Sequence, residues 1–154
     1  MRGLTLRPFR RPDAPADETT PDDETTQMSL VLDSGAVTAL GRRDRRTAAR
    51  IAVLWQRGLW PPIVPTVVLI DSLSGNRMRD APANRTVGLS LVHSLEEPLA
   101  RRAAQLRGRA RAGSAVEAAV VATAELFEAL VITSNPDVLV RLSQHADGVS
   151  LLST

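Results

Sequence analysis

The sequence predicts an α/β protein: a three-layer α/β/α sandwich around a mostly parallel sheet of about five strands. Short apolar runs alternate with amphipathic helical patterns from Ser29 to the end of the chain, the arrangement that produces βαβ units and a parallel sheet covered on both faces. The 154 residues suit one domain, and a hydrophobic content of 44% supplies a core.

The strands are predicted where short runs of Leu, Val and Ile meet turn or capping residues. The first run stops at Asp33-Ser-Gly35, and the fourth ends at Thr133. The five predicted strands are Leu30–Leu32, Ile63–Val64, Leu91–Ser94, Leu130–Thr133 and Val149–Leu152.

The helices are predicted from apolar spacing and from their stop signals. In the first, Ala49, Ala52, Val53 and Gln56 interleave with arginines, and Gly58 ends the pattern before Pro61-Pro62 breaks the chain. The predicted helices are Arg45–Gly58, Pro65–Ser74, Asn84–Ser90, Glu96–Arg111, Ser114–Phe127 and Asn135–Gln144.

Residues 1–27 differ from the rest in composition. They hold six acids and four arginines, whereas the remainder holds 15 arginines and 11 acids. Rich in Pro, Asp, Glu and Thr, they offer too little apolar surface to offset ordering entropy, which predicts a disordered tail before a folded domain of residues 28–154. Two alternatives stay open: a start codon assigned upstream of Met28, or an acidic tether that screens the basic body.

Composition excludes several classes of chemistry. No cysteine is present, and all 19 basic residues are arginine, so disulfides, thiolate metal sites and lysine-based catalysis are excluded. His93 and His145 lie too far apart in sequence to suggest a multi-histidine metal site. Neither an apolar signal core nor a membrane-length run occurs in the sequence, and the expected location is the cytoplasm.

Acidic side chains lie near the predicted strand ends, where open parallel sheets bind ligands. Asp33 directly follows the first strand, and Asp71 lies within an apolar helix. Each has a purely structural alternative. Asp33 is suited to cap a helix, and Asp71 is equally compatible with a partly exposed helix position.

Two further polar positions have the same double interpretation. Ser114 and Glu117 have the spacing of a capping box, which we favour from that motif alone. Past the fourth strand, Asn135 is suited to cap a helix that starts at Pro136, with Asp137 complementing the helix dipole.

Taken together, these groups predict a cation site. Two carboxylates about 4–5 Å apart repel by about 3–4 kcal/mol at an effective dielectric constant near 20. If the strand order brings them together, either one is protonated or a cation lies between them. Oxygen ligands without His or Cys favour Mg²⁺ or Mn²⁺, ions that polarise a phosphodiester and activate water.

Four segments resemble, in family order, the motifs of PIN-domain ribonucleases, especially the VapC-like toxins of type II toxin–antitoxin pairs. They are SLVLDSGAVTAL at 29–40, VPTVVLIDSLSG at 64–75, SAVEAAVVATA at 114–124 and VITSNPDVL at 131–139. The resemblance spans about residues 29–152. It implies an endoribonuclease toxin that uses Mg²⁺ or Mn²⁺, an RNA substrate, a small cognate antitoxin and a homodimer.

By this resemblance, Asp33, Asp71 and Glu117 are metal ligands, and Asn135 or Asp137 completes the catalytic set. The family usually has Glu in place of Asp71 and Asp in place of Glu117, changes that keep the charge and alter the reach. Asn135 stands where the family has a fourth acid, so one negative charge is lost, and Asp137 is a candidate to replace it. Thr133 or Ser134 would position a water or phosphate oxygen.

The arginines form two clusters whose role the sequence leaves open. One alternative is that these arginines lie on helix faces that contact only solvent. The other is that they contact the phosphates of RNA. The clusters are Arg42, Arg43, Arg45, Arg46 and Arg50, and Arg101, Arg102, Arg107, Arg109 and Arg111. With two Phe, two Trp and no Tyr, base stacking is not expected to dominate. We expect Trp55 and Trp60 in the core or at a partner interface, and structural roles for both histidines.

Two alternatives to a nuclease follow. A degenerate PIN domain that binds RNA or an antitoxin without cleavage is suggested by Asn135. A phosphoacceptor receiver-like domain also clusters acids beyond a parallel sheet, but it needs a lysine that this chain lacks.

Overall fold

A computed structural model describes residues 28–154; the predicted tail, residues 1–27, lies outside the described residues. A five-stranded sheet forms the centre, and each adjacent pair of strands is parallel. The strands are β1 (Leu30–Leu32), β2 (Ile63–Pro65), β3 (Leu91–His93), β4 (Leu130–Thr133) and β5 (Ser150–Ser153), in the order β3-β2-β1-β4-β5.

Within residues 28–154, seven helices connect and cover the strands. They are α1 (Ser34–Leu40), α2 (Arg45–Gln56), α3 (Val68–Ser72), α4 (Ala81–Gly88), α5 (Glu97–Ala110), α6 (Ala115–Leu126) and α7 (Pro136–Ser143). Helix α1 contacts α2, α3 and α4, whereas α5, α6 and α7 contact one another. The sheet therefore lies between two helical layers, which confirms the predicted α/β class.

The central strands and the helix behind them form the core. All three residues of β1 are buried, as are Val131 and Ile132 of β4. Helix α6 is buried from Ala118 to Ala124 because small and β-branched side chains let it pack closely on the sheet.

The five predicted strands are present with their ends shifted by at most one residue. Helix α1 was not predicted as a separate element, although Asp33 was expected as a helix cap. Its seven residues, Ser34–Leu40, are too few to show a clear helical period.

Helix α2 packs differently from the sequence interpretation. Ala49, Ala52 and Val53 are exposed, and Leu54 is the buried residue of the helix. Of the two alternatives for the tryptophans, a core position is excluded for Trp55, which is 66% exposed, and a partner interface stays a prediction, whereas Trp60 packs against the core. Among the described residues, no helix has the length and apolar character needed to cross a membrane.

Candidate active site

The strand order reverses direction at the centre of the sheet. The chain places β2 and β3 on one side of β1 and then returns to place β4 and β5 on the other side. In open α/β sheets the crevice outside the carboxyl ends of the strands at such a point is the usual ligand site. Asp33 follows β1 there, and Ser134 and Asn135 follow β4.

Asp33 is a buried carboxylate whose oxygens both accept main-chain hydrogen bonds. The Ala36 N–H donates to Oδ1 at 2.7 Å, which caps α1, and the Ser134 N–H donates to Oδ2 at 3.0 Å. The predicted cap is therefore confirmed. The same side chain also joins the end of β1 to the residue that follows β4.

The contact between these two segments depends on Gly35. A Cβ built on Gly35 would lie 2.6 Å from Ser134 Cβ, closer than real carbon atoms approach. Sequence reasoning did not identify Gly35 as a site residue. Its signal was its place two residues after Asp33, where glycine permits close approach of another backbone.

Glu117 forms the predicted capping box and also contacts the residue after Ser134. Its Oε2 accepts the Ser114 N–H at 2.7 Å, while Ser114 Oγ accepts the Glu117 N–H at 3.1 Å. Its Oε1 accepts a hydrogen bond from Asn135 Nδ2 at 3.0 Å. Asn135 occupies the N-cap position of α7 without a side-chain cap bond, so its amide serves Glu117 instead of the helix.

Asp71 lies on the exposed surface of α3 and lines a cleft of about 960 Å³. Ser34, Gly35 and Ser134 line the same cleft. These are the residues next to Asp33 and Asn135, so Asp71 faces the same crevice. Asp137 is exposed in the first turn of α7 and does not line this cleft.

Arginines also belong to the lining of the cleft. Arg42, Arg46 and Arg50 line it, together with Asp44 and Thr47. Asp44 caps α2, and the backbone N–H of Thr47 that donates to it holds the pKa of this carboxyl below its usual value. Sequence reasoning missed Asp44 and Thr47, although their spacing is that of a helix cap.

The predicted ligands approach one another without forming a closed cage. Within residues 28–154, no three His, Cys, Asp or Glu side chains come close enough to hold a metal ion together. Asp33 and Glu117 are linked through the consecutive residues Ser134 and Asn135, whereas Asp71 lines the neighbouring cleft, to whose lining Ser134 contributes but Asp33 and Glu117 do not. This open set of oxygen donors suits Mg²⁺, which proteins commonly hold through one or two carboxylates while substrate phosphates complete the shell.

No protein-family model matches this chain, and no curated protein matches it in sequence. Its structure is similar to solved toxin–antitoxin and related complexes.

One is a VapBC2 complex from Rickettsia felis bound to a promoter DNA fragment, with a TM-score of 0.60 and 11% identity over 82% of this chain and 99% of that chain. A toxin–antitoxin complex from Klebsiella pneumoniae has a TM-score of 0.57 and 16% identity over 78% and 94% of the two chains.

FitAcB from Neisseria gonorrhoeae has a TM-score of 0.56 and 17% identity over 80% of this chain and 96% of that chain. Identities this low show the fold and no more, but nearly the whole of each matched chain is covered. The fold of this chain is therefore similar to that of chains in these toxin–antitoxin complexes, which agrees with the fold that the resemblance of its four segments to VapC-like PIN domains implies.

Proposed function

We propose that this protein is a metal-dependent endoribonuclease toxin that hydrolyses RNA phosphodiester bonds and is neutralised by a cognate antitoxin. One observation carries the proposal: Asp33 and Glu117 bond to the consecutive residues Ser134 and Asn135 at the point where the strand order reverses. Beside them lies a cleft that holds Asp71 and three arginines.

The chain's own groups have separate roles in this proposal. Asp33, Asp71 and Glu117 are the proposed ligands of Mg²⁺ or Mn²⁺, and since no three of the described carboxylates come together, one or two of them would hold the ion with substrate phosphate completing the shell. When bound, the ion would polarise the phosphodiester and lower the pKa of a water. Arg42, Arg46 and Arg50 would bind the RNA backbone through charge-assisted hydrogen bonds to phosphate oxygens. Asn135 would orient Glu117, and Asp137 remains a candidate for the charge that Asn135 lacks.

The proposed partners follow from the structural neighbours, which are complexes of toxins with antitoxins, one of them bound to DNA. We propose a small antitoxin that covers the cleft, and a homodimer. The cytoplasmic location expected from the sequence is part of the same proposal.

An RNA cleavage assay tests the proposal. Purified protein should cleave RNA with Mg²⁺ or Mn²⁺ and lose activity in EDTA. Asp71→Asn should reduce cleavage at least tenfold, because it removes a proposed metal ligand. If this exposed carboxylate only contacted solvent, its removal would leave cleavage unchanged. Cleavage that persists in EDTA, or full activity in Asp71→Asn, would contradict the proposal.

The matched control is Glu96→Gln, which removes one exposed acid before α5 that makes no side-chain cap bond. Its activity should equal that of the wild type. A loss equal to that of Asp71→Asn would assign the effect to net charge instead of to the site.

A second function is favoured by the hydrogen bond from Asn135 to Glu117. The amide donates to a carboxylate oxygen that a metal would otherwise bind, so the domain would bind RNA or an antitoxin without cleaving. Calorimetry with Mn²⁺ separates the two functions, since a non-cleaving domain of this kind should bind no metal. In the cleaving protein Asn135→Asp should raise activity, because it restores a charge to the ligand set.

A further inference from the structure

A second arginine-lined hollow lies at the C-terminal end of α5. It is a cavity of about 670 Å³, lined by Arg107, Gly108, Arg111 and Gly113 together with two alanines. None of these lining residues is acidic, and neither arginine forms an ion pair within residues 28–154. The charge of both arginines is therefore available to an anionic ligand.

Arg111 has a backbone conformation that favours glycine. It is the C-cap residue of α5, with φ 47° and ψ 37° in the left-handed region, where glycine is usual at a helix end because it has no Cβ. Arg107 and Arg109 in the last turn already complement the helix dipole. An arginine in this glycine position therefore has a conformational cost that no ion pair of the described fold offsets, which points to a role in binding.

Gly108 shows the opposite choice. It lies inside α5, where glycine destabilises a helix relative to alanine. A Cβ at this position would nevertheless meet nothing within 4 Å, so close packing does not require glycine here. Without a side chain, Gly108 leaves open the cavity that Arg107 and Arg111 line.

The cavity adjoins the candidate active site through Gly113. A Cβ built on Gly113 would lie 3.6 Å from Oε2 of Glu117, and the Cα atoms of Arg111 and Gly113 are at most about 7 Å apart. Glu117 in turn contacts Asn135, which follows Ser134 in the lining of the cleft. The cleft and the cavity share no lining residue, and the candidate site connects them.

We propose that Arg107 and Arg111 bind one phosphate of the RNA strand, beside the phosphate that is cleaved. The inference rests on the proposed function in one respect, that RNA lies across Glu117. RNA carries a phosphate at every nucleotide, so a strand cleaved at Glu117 brings a neighbouring phosphate to the adjoining cavity. Two arginines in one cavity suit a single phosphate, because guanidinium groups bind its oxygens through paired, charge-assisted hydrogen bonds.

Removing both charges in the full chain tests the contact. In EDTA, Arg107→Gln with Arg111→Gln should bind a ten-nucleotide single-stranded RNA about threefold to tenfold more weakly than the wild type, as expected for the loss of two exposed ion pairs. The slope of log Kobs against log salt concentration should become shallower by about 0.7, the contribution of one phosphate on a single strand. Fluorescence anisotropy measures both quantities without cleavage.

The matched control removes the same charge from the same helix. Arg101 and Arg109 are exposed residues of α5 that do not line the cavity, and Arg101→Gln with Arg109→Gln should leave the salt slope unchanged. Equal losses in the two double variants would show a general effect of net charge and overturn the proposal. Wild-type binding by Arg107→Gln with Arg111→Gln would also overturn it, and would leave the cavity to another anion, such as an acidic segment of a partner protein.

Two single variants separate a role in binding from a role in folding. Arg111→Gly suits the left-handed backbone, so its Tm should rise by about 2–4 °C, while its RNA binding weakens about twofold to threefold. Gly108→Leu keeps every charge and adds a good helix former, but its side chain would occupy the open cavity and weaken RNA binding. Wild-type affinity in either variant would contradict the assignment.

The binding results are independent of catalysis, because EDTA removes metal ions and no bond is cleaved. If the protein cleaves RNA but the cavity variants bind it as the wild type does, the nuclease stands and the phosphate contact is refuted. If the selective loss of binding occurs in a protein without metal-dependent cleavage, the nuclease is refuted and the contact stands.

Discussion

At the scale of single residues, the candidate site is built from groups that also hold the fold together. Asp33 caps α1 and binds the chain after β4, and Glu117 caps α6 while it contacts Asn135. Loss of activity on mutating either acid therefore mixes chemistry with folding. Asp71, which is exposed, is the more informative position for tests of catalysis.

Asp33→Asn should destabilise the protein by about 1–3 kcal/mol, the usual cost of leaving a buried polar group without its partner. An amide presents one oxygen and one NH₂ group, so one of the two backbone N–H donors now facing the carboxylate would face another donor. Denaturant unfolding measures the change. Asp71→Asn is the control and should lie within about 0.5 kcal/mol of the wild type; equal stability of all three proteins would contradict this description of Asp33.

Gly35→Ala should destabilise the protein by about 1–3 kcal/mol through overpacking. The new methyl group meets Ser134 Cβ, which belongs to the chain that follows β4 and has little room to move. Gly108→Ala in α5 is the matched control, because nothing lies within 4 Å of its added Cβ. The control should be neutral or stabilised by up to about 1 kcal/mol, and thermal unfolding of both variants tests the contrast.

At the scale of elements, one ion pair joins two helices to the segment that follows α7. Arg102 of α5 donates from Nε and Nη2 to the two carboxylate oxygens of Glu125 in α6, at 2.6 and 2.7 Å. Glu125 also accepts the Asp147 N–H, and Arg102 donates to the His145 carbonyl oxygen, both beyond the end of α7. The pair therefore fixes the helical layer that positions Glu117.

Arg102→Ala should cost about 1.5–3 kcal/mol of stability at neutral pH, as expected for charge-assisted hydrogen bonds that are largely shielded from solvent. Arg101→Ala removes the neighbouring arginine, whose pair with Glu97 is exposed. That control should lose no more than about 0.5 kcal/mol. Comparable losses in the two variants would contradict the importance given to the α5–α6 pair.

The same variant has a predictable dependence on pH. The hydrogen bond from Arg102 holds the pKa of the Glu125 carboxyl below its usual value of 4.5. A lowered pKa in the folded state stabilises the fold above the unfolded-state pKa, and this stabilisation is lost as pH falls through the folded value. The difference in unfolding free energy between the wild type and Arg102→Ala should therefore shrink as the pH falls below about 4.5. A difference that stays constant over this range would contradict the assignment of the lowered pKa to Arg102.

Strands and helix caps were predictable from sequence because they depend on neighbouring residues. The runs Leu30–Leu32 and Leu130–Thr133 and the caps at Asp33 and Ser114 are local patterns, and the structure contains all of them. The exposure of Trp55, the contact of Gly35 with Ser134 and the Arg102–Glu125 pair were not predictable, since each depends on how distant segments meet. The approach of Glu117 to Asn135 belongs to the same class.

At the scale of the whole molecule, the distribution of arginine determines how the protein meets a polyanion. On α5, Arg101 and Arg102 are paired with acids of the fold. The arginines of the cleft have no such pairs among the described residues. Their charge is available to a ligand, and the cleft that they line also holds Asp71 of the candidate site.

Salt dependence measures how many of these arginines contact phosphate. Each phosphate neutralised on a single strand contributes about −0.7 to the slope of log Kobs against log salt concentration. Arg46→Gln with Arg50→Gln should therefore make the slope for a single-stranded oligonucleotide, measured in EDTA, shallower by about 1.4. Arg101→Gln with Glu97→Gln removes a paired arginine outside the cleft together with its acid and should leave the slope unchanged. If both double variants gave the same slope as the wild type, the nucleic acid would bind on another surface, and the cleft would lose its proposed role while the carboxylates kept theirs.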